Sequence, residues 1–333
     1  MSTIAADIGG TNSRFVVVDV VPGGVKILHS QTYSSVDNAS LESVLLKFVT
    51  SARQLGLNPQ QACLAVAGPV AGAGAHQWAR ITNLPWSIDN VILANVSGLE
   101  RVFLLNDFEA VGYGLALLKV DDVCMLRGKW NEVRGHRVVI GAGTGLGVCQ
   151  VLDHGGVWKV IPTEAGHVDF APRSEIQVEL WRRLTARDGH LSNDKVVSGP
   201  GIAEIFRLLV DLEKGSVQSA DVRAILAAPD VAAAVTAARG QVKLARRAVE
   251  MFLEIYAHVA GNYALMNLAM GGVYLAGGIA PRLLPELQDG SFLKTLASKG
   301  RMAYLFEAMP VGVITNTQVG LFGAAYIAMS GLP

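Results

Sequence analysis

The chain of 333 residues lacks the features that mark several specialised classes of protein. Its three cysteines, Cys63, Cys124 and Cys149, show no Cys-x-x-Cys spacing, which excludes a typical zinc site and favours reduced residues of a cytoplasmic protein. No apolar run approaches the length of a membrane span. Lys plus Arg equals Asp plus Glu at 28 each without a basic cluster, so we expect neither nucleic acid nor a membrane surface as partner. A first strand starting at residue 3 leaves no room for a signal sequence.

Two glycine-rich turns are present, and neither is a P-loop or a dinucleotide-binding turn. Residues 141–147 lie between the apolar runs 138–140 and 148–152, which predicts a hairpin with the turn at its tip. Residues 4–18 repeat the pattern, with the turn at Gly9-Gly10-Thr11-Asn12. Exposed backbone N–H groups in such turns suit phosphate, although an ordinary hairpin with a bulge would have the same residues. The pair indicates a duplicated architecture with a nucleotide between its halves.

The length and composition predict two globular α/β domains. The chain is 51% apolar with 36 glycines and no low-complexity tract, and 333 residues suffice for two cores. After the first hairpin the periodicity predicts a strand, a helix, a buried strand, a loop up to Gly74, a helix capped by Ser87, another strand and a further helix. The predicted bounds of these elements are 25–32, 41–55, 62–67, 69–74, 88–94, 102–105 and 108–118.

Asn106 and Asp107 follow a buried strand and form the best candidate for chemistry. A carboxylate at the C-terminal end of a parallel strand faces the crevice in which open α/β sheets bind ligands. Phosphoryl transfer needs a base beside the nucleotide, and Asp107 is placed for that role. The alternative is that Asp107 only caps the helix starting at Phe108.

Glu164 and His167 lie three residues apart in a turn of small residues. This spacing can bring both side chains to one side of the turn, where they would bind a neutral hydroxylated ligand well. The alternative is a pair of solvated loop residues, together with Asp169. Zinc is improbable because no second His or Cys cluster is nearby.

Six segments together resemble bacterial glucokinase, in order and at matching intervals over nearly the whole chain, from Ile4 to about Ala328. They are Asp7–Asn12, Leu105–Phe108, Gly141–Gly147, Glu164–Pro172, Val197–Gly201 and Leu275–Ile279. The resemblance implies the two-domain actin/hexokinase-like fold, with ribonuclease H-like halves and the active site in the interdomain cleft. The expected small domain is 1–107 plus 317–333, and the large domain is 108–316.

By this resemblance Asp107 deprotonates the 6-hydroxyl of glucose, and ATP with Mg²⁺ supplies the phosphoryl group. No separate metal site is expected. The residues that the resemblance assigns to the sugar are Asn83, Asn106, Asp107, Glu164, His167 and Asp194. Those that it assigns to ATP are Ala6, Asp7, Ile8, Gly9, Gly10, Thr11, Gly143, Thr144, Gly145, Gly277 and Gly278.

Asp194 departs from the family pattern, which has a glutamate there that grips the sugar near its anomeric carbon. This difference leaves the sugar preference open. The alternative to a role in sugar binding is that Asp194 only caps a helix or faces water. A kinase of fructose or mannose and a catalytically silent sugar sensor remain open as alternatives. The absence of cysteine after Cys149 disfavours the branch that carries a cysteine zinc cluster. A homodimer is one candidate assembly, and the sequence leaves the oligomeric state open.

Overall fold

The computed structural model describes residues 2–21, 24–73, 75–81, 84–155, 157–213 and 219–331, and both strands and helices occur throughout. The strands are β1 (Thr3–Ile8), β2 (Asn12–Val21), β3 (Gly24–Ser34), β4 (Gln61–Val66), β5 (Val70–Ala73), β6 (His76–Arg80), β7 (Ser87–Asp89), β8 (Arg101–Asn106), β9 (Val123–Arg127), β10 (Arg137–Ala142), β11 (Leu146–His154), β12 (Val157–Thr163), β13 (Gly272–Ala276) and β14 (Val311–Ile314).

The α-helices are α1 (Leu41–Gln54), α2 (Asn90–Ser97), α3 (Asp107–Gly114), α4 (Glu175–Asp188), α5 (Asn193–Val196), α6 (Gly199–Leu212), α7 (Ala220–Leu226), α8 (Val231–Ala238), α9 (Lys243–Met266), α10 (Leu284–Leu287), α11 (Ser291–Leu296) and α12 (Val319–Ser330). Short 3₁₀ helices cover Leu115–Leu117, Val120–Asp122, Ala165–His167, Ala280–Leu283 and Gly300–Phe306.

A five-stranded sheet contains the first glycine turn, with strand order β3-β2-β1-β4-β8. β1, β2 and β3 form an antiparallel meander, whereas β1, β4 and β8 run parallel. The C-terminal ends of the parallel strands therefore meet at one edge of the sheet. The amphipathic helix α1 contributes Leu45 and Phe48 to the core, where Phe48 contacts Phe15 of β2. The hairpin, α1, β4 and β8 confirm the prediction.

A small sheet of β5, β6 and β7 corrects two predictions. The segment before Gly74 is not entirely a loop, because β5 pairs with β6. Ser87 does not cap a helix; it pairs with Arg80 in the sheet. The cap is Asp89, whose Oδ1 accepts hydrogen bonds from Val91 N at 2.9 Å and Ile92 N at 3.1 Å. Sheet pairing thus delays the start of the helix.

A six-stranded sheet contains the second glycine turn, with order β12-β11-β10-β13-β14-β9. β10, β13 and β14 run parallel, so their C-terminal ends also share one edge. The long helix α9 is largely buried, and the hydroxyl of Tyr256 on α9 donates a hydrogen bond to Ile140 O of β10 at 2.9 Å. The hairpin predicted around the second glycine turn is confirmed, whereas β9 was not predicted.

The chain divides into two compact units. The first comprises Met1–Val123, Val151–Pro162 and Asn316–Pro333, and the second comprises Cys124–Gln150 and Thr163–Thr315. The first unit includes the predicted small domain and also residues 108–123 and 151–162. Residues 108–114 belong to it because α3 packs closely along α12, where Gly323 lies against the carbonyl of Ala110. No helix in the described ranges is long and apolar enough to cross a membrane.

Candidate active site

The first glycine turn joins β1 to β2, as the sequence predicts, and Ser35, directly after β3, braces it. Gly9 N donates to Asn12 O at 3.0 Å across the turn. The buried Ser35 holds the turn from outside, since its backbone N donates to Thr11 O and its hydroxyl to Gly9 O, both at 2.8 Å. Ser35 was not predicted, because no local pattern distinguishes a serine that contacts a turn 26 residues away.

Asp7, near the end of β1, is the acidic residue closest in sequence to this turn. Part of its side chain is open to solvent, although protein atoms crowd the carboxyl group. This burial raises the pKa of Asp7, and the guanidinium of Arg14, opposite it on β2, partly offsets the rise. Asp7 is thus a carboxylate at the edge where β1, β4 and β8 end.

Asn106 is the N-cap of α3. The alternative interpretation of the sequence assigns this capping role to Asp107. Asn106 Oδ1 accepts hydrogen bonds from Phe108 N at 2.9 Å and Glu109 N at 3.2 Å, and its Nδ2 donates to Gly68 O at 3.1 Å. Glu109 completes a capping box by accepting from Asn106 N at 3.3 Å. The hypothesis that Asp107 is merely the cap is therefore wrong.

Asp107 is the first residue of α3 and is exposed. Its Oδ1 accepts a hydrogen bond from its neighbour Phe108 N at 2.8 Å. The positive end of the helix dipole favours a carboxylate at this position. The N-cap is thus Asn106, and the Asp107 carboxylate lies exposed at the strand edge beside it.

Glu109 follows Asn106 and Asp107 in the first turn of α3, and its side chain is only partly exposed to solvent. Burial raises its pKa to about 7, and the hydrogen bond from Asn106 N opposes the rise. The same carboxylate helps to raise the pKa of the buried Cys63 thiol, for which burial is the larger cause. The protonation of Glu109 therefore bears on the geometry of the helix start.

The second glycine turn joins β10 to β11 and is bound by two other segments. Gly143 N donates to Gly145 O at 2.9 Å, and Gly143 O accepts from Gly199 N at 2.8 Å. Gly277 adopts φ +80° and approaches so closely that a Cβ would collide with Ala142 O. By contrast, a Cβ on Gly143, Gly145 or Gly278 would meet no protein atom within 4 Å. The outer side of the turn is thus open to a ligand.

A cavity of about 680 Å³ in the second unit brings the predicted residues Gly143, Thr144 and Gly278 together. The start of α6 contributes Gly199 and Pro200, so the N-terminal end of a 14-residue helix faces the same space. The positive end of the helix dipole favours an anion there. The remaining lining residues, which the sequence did not indicate, include Glu204, Arg207, Asp230, Ala233, Thr236 and Arg282.

The turn that carries Glu164 and His167 packs directly on the second glycine hairpin. A Cβ on Gly166 would overlap Leu146 O, the first residue of β11. The Thr163 hydroxyl donates to Val148 O at 2.6 Å. This contact makes the turn and the glycine hairpin neighbours in the second unit.

Glu164, His167 and Asp194 converge. His167 Nε2 lies 3.8 Å from Glu164 Oε2, and His167 Nδ1 lies 3.6 Å from Asp194 Oδ1. Both distances exceed a good hydrogen bond. Glu164 and His167 are well exposed, whereas the Asp194 side chain is 18% exposed and accepts a hydrogen bond from the Ser192 hydroxyl. Asp194 therefore neither faces water freely nor acts as the N-cap of α5, which is Ser192.

Pairing between two loop segments places Asp194 beside His167. Phe170 N donates to Leu191 O and Asn193 N donates to Val168 O, both at 2.9 Å. Tyr263 on α9 bonds to both segments: its hydroxyl donates to Ala165 O and accepts from Asn193 Nδ2 at 3.2 Å. No local pattern indicates Tyr263, which lies 70 residues after Asn193 in the chain.

Several predicted residues have a different status. Asn83 lies outside the described residues. Ala6 and Ile8 are buried in β1, so their side chains form core and only their backbone could serve a ligand at the adjacent turn. Among the described residues, no three His, Cys, Asp or Glu side chains group into a metal site.

Comparison with known proteins gives consistent matches over the full chain. The model of the glucokinase family matches residues 4–331. The glucokinase of Nostoc punctiforme is 36% identical over 341 residues, covering 98% of both chains. A crystal structure of glucokinase from an Antarctic psychrotroph superposes with a TM-score of 0.81 at 26% identity, again covering 98% of each chain.

A crystal structure of a ROK family glucokinase from Streptomyces griseus, in complex with glucose and AMPPNP, has a TM-score of 0.66 at 18% identity. It covers 99% of this chain and 100% of that one. At this identity the match supports the fold alone. The fold is the α/β, actin-like architecture of sugar kinases.

Proposed function

The chain belongs to the glucokinase family, which phosphorylates glucose with ATP, and we propose that Asp107 accepts the proton of the 6-hydroxyl during transfer. An exposed carboxylate at a strand end and a helix start suits a general base. Loss of that proton makes the oxygen a better nucleophile as the phosphoryl group transfers.

The proposal that this chain transfers a phosphoryl group to a sugar rests mainly on one observation, the packing of the Glu164–His167 turn on the second glycine hairpin. Gly166 lies against Leu146, three residues beyond Gly143. A sugar bound at the Glu164–His167 turn and phosphates bound at the second glycine hairpin would therefore lie side by side. Phosphoryl transfer depends above all on such positioning of the two reactants.

We assign the sugar to carboxylate, imidazole and amide side chains. Glu164 and Asp194 would accept hydrogen bonds from the sugar hydroxyls, while His167 would donate or accept. Their mutual distances of 3.6 and 3.8 Å leave hydrogen-bonding capacity for these hydroxyls. Asn106 would contribute its remaining amide N–H, because Gly68 O accepts only one. Asn83 stays in the proposed set on the family resemblance alone.

We assign ATP to the two glycine turns and the cavity beside the second. Gly9, Gly10 and Thr11, with Gly143, Thr144 and Gly145, would bind phosphates through backbone N–H groups, and Gly277-Gly278 would lie against the nucleoside. Mg²⁺ would neutralise phosphate charge when it is bound. ATP would supply most of the ligands of this cation, with Asp7 as a nearby carboxylate.

An assay that couples ADP release to a reporter, run with a panel of hexoses, tests the function. We expect turnover with glucose to exceed that with fructose, mannose and galactose. A higher kcat/KM for fructose or mannose would favour a kinase of another hexose. Glucose binding without ADP release would favour the sensor.

Three further expectations form part of this proposal. The cytoplasm is the proposed compartment, since none of Cys63, Cys124 and Cys149 forms a disulfide. A homodimer can be tested by light scattering. The division into domains 1–107 plus 317–333 and 108–316 can be tested by limited proteolysis.

A further inference from the structure

Three basic side chains form a cluster in the second unit that the proposed reaction does not use. Arg173 precedes α4, His258 lies on α9, and Lys299 follows α11. Arg173 Nη1 lies 3.3 Å from His258 Nδ1, and Lys299 Nζ donates to His258 O at 2.9 Å. Arg173 is exposed and the other two are half-buried. We call these three residues the basic cluster.

No carboxylate neutralises the basic cluster among the described residues. Glu254, one turn before His258 on α9, accepts a hydrogen bond from Gln177 Nε2 at 3.3 Å. Glu175, in the first turn of α4, forms no ion pair in the described part of the chain. The positive charges are therefore opposed only by neutral groups.

The partners of the two cations are uncharged oxygens. Arg173 Nη1 donates to Ser298 O at 3.2 Å, and Lys299 Nζ donates to Asn262 Oδ1 at 2.6 Å. Within the described ranges Arg173 Nε and Nη2 have no acceptor, and Lys299 keeps one N–H uncommitted. Several donors therefore remain for a ligand.

The electrostatics of the cluster favour the binding of an anion. Burial, then the charges of Arg173 and Lys299, lower the pKa of His258 to about 4. Burial, then the charge of Arg173, lower the pKa of Lys299 to about 8. The charge of Arg173 thus disfavours the charged forms of His258 and Lys299, and a bound anion would offset that repulsion.

We propose that Arg173, His258 and Lys299 form a second site, which binds an oxyanion of the phosphate type. The planar guanidinium of Arg173 presents parallel N–H donors that match two oxygens of a tetrahedral oxyanion. The Lys299 ammonium adds a point charge from a half-buried position. Arg173 also directly follows the Glu164–Pro172 segment, so occupancy of this site would bear on the sugar turn.

The test follows the imidazole resonances of His258 by NMR as inorganic phosphate is added at constant pH and ionic strength. We expect saturable shifts, and we expect Arg173→Gln and Lys299→Gln each to weaken binding by about tenfold or more, the effect of losing a charge-assisted hydrogen bond. Lys294→Gln, which removes an exposed lysine of α11, should leave binding unchanged. Arg173→Lys keeps the charge without the fork, and should bind phosphate with intermediate affinity.

His258 resonances that do not respond, or that respond equally to chloride, would overturn the proposal. So would equal phosphate affinity in Lys299→Gln and the unchanged protein, because the cluster would then only tie the segment 298–299 to α9. Inorganic phosphate and glucose 6-phosphate are titrated in separate NMR experiments to identify the source of the oxyanion. Only the glucose 6-phosphate arm rests on the proposed function, so binding of inorganic phosphate to a protein without kinase activity would still support the site.

Discussion

Replacing Asp194 by alanine should weaken the binding of glucose with little change in turnover. The Asp194 carboxylate lies 3.6 Å from His167 and its side chain is 18% exposed, so a sugar hydroxyl bonded to it would be partly shielded from water. A hydrogen bond to a charged acceptor contributes about 1.5–3 kcal/mol, and about 1.4 kcal/mol corresponds to tenfold in affinity. The KM for glucose should therefore rise by about ten- to a hundredfold.

Steady-state kinetics with the ADP-release assay, over a range of glucose concentrations, measures this effect. Asp169→Ala is the matched control, because Asp169 lies on the segment that pairs with residues 191–193, yet its side chain is 85% exposed and contacts His190. Its KM should change by less than about threefold, as expected of a surface position. Sugars that lack the hydroxyl bound by Asp194 should show a smaller loss.

The reasoning would be refuted if KM and the ranking of hexoses were both unchanged in Asp194→Ala. A general rise in KM for Asp169→Ala as well would show that the loop pairing was disturbed instead. Asp194→Asn separates charge from shape, since it keeps a hydrogen-bond acceptor in place, and its KM should fall between those of the unchanged protein and Asp194→Ala.

Three other substitutions test the site and its support. Asp107→Asn should lower kcat by about a hundredfold or more while retaining glucose binding by calorimetry, and retention of half the turnover would exclude Asp107 as base. Glu109 has a pKa raised to about 7, so its ionisation costs stability as pH rises from its unfolded value near 4.5 to about 7. The free energy of unfolding of Glu109→Gln, taken relative to that of the unchanged protein, should therefore be higher at about pH 8 than at about pH 5. A difference in Tm between the two proteins that does not change with pH would contradict this. Gly277→Ala should cost about 1–3 kcal/mol because its Cβ would meet Ala142 O, whereas Gly278→Ala should be nearly neutral; equal Tm values for the two would contradict the predicted close approach.

The elements that the sequence predicted well are those set by short-range patterns. Both glycine hairpins appear where apolar runs flank a turn, because a few neighbouring residues decide strand and turn together. The amphipathic periodicity likewise located α1. Local patterns also placed Asn106 and Asp107 at a strand end, from which their position at the sheet edge followed.

Choices between similar neighbours were harder. Asn106 and Asp107 are both good caps, and only the folded backbone assigns that role to Asn106, with Gly68 and Glu109 as its partners. The N-cap of α2 is Asp89 and not Ser87, because β7, which contains Ser87, pairs with β6. A competing long-range hydrogen bond decides each case.

Contacts between distant segments belong to the tertiary structure alone. The sequence by itself determined the turns, the strand ends and the types of side chain that suit a sugar kinase, and the family resemblance named Asp194 as a departure. Only the folded chain brought Asp194 beside His167, through the pairing of segments about 20 residues apart, and gathered Arg173, His258 and Lys299 from three separate parts of the chain. Such groupings arise because packing and strand pairing act between residues whose separation in sequence leaves no periodic trace.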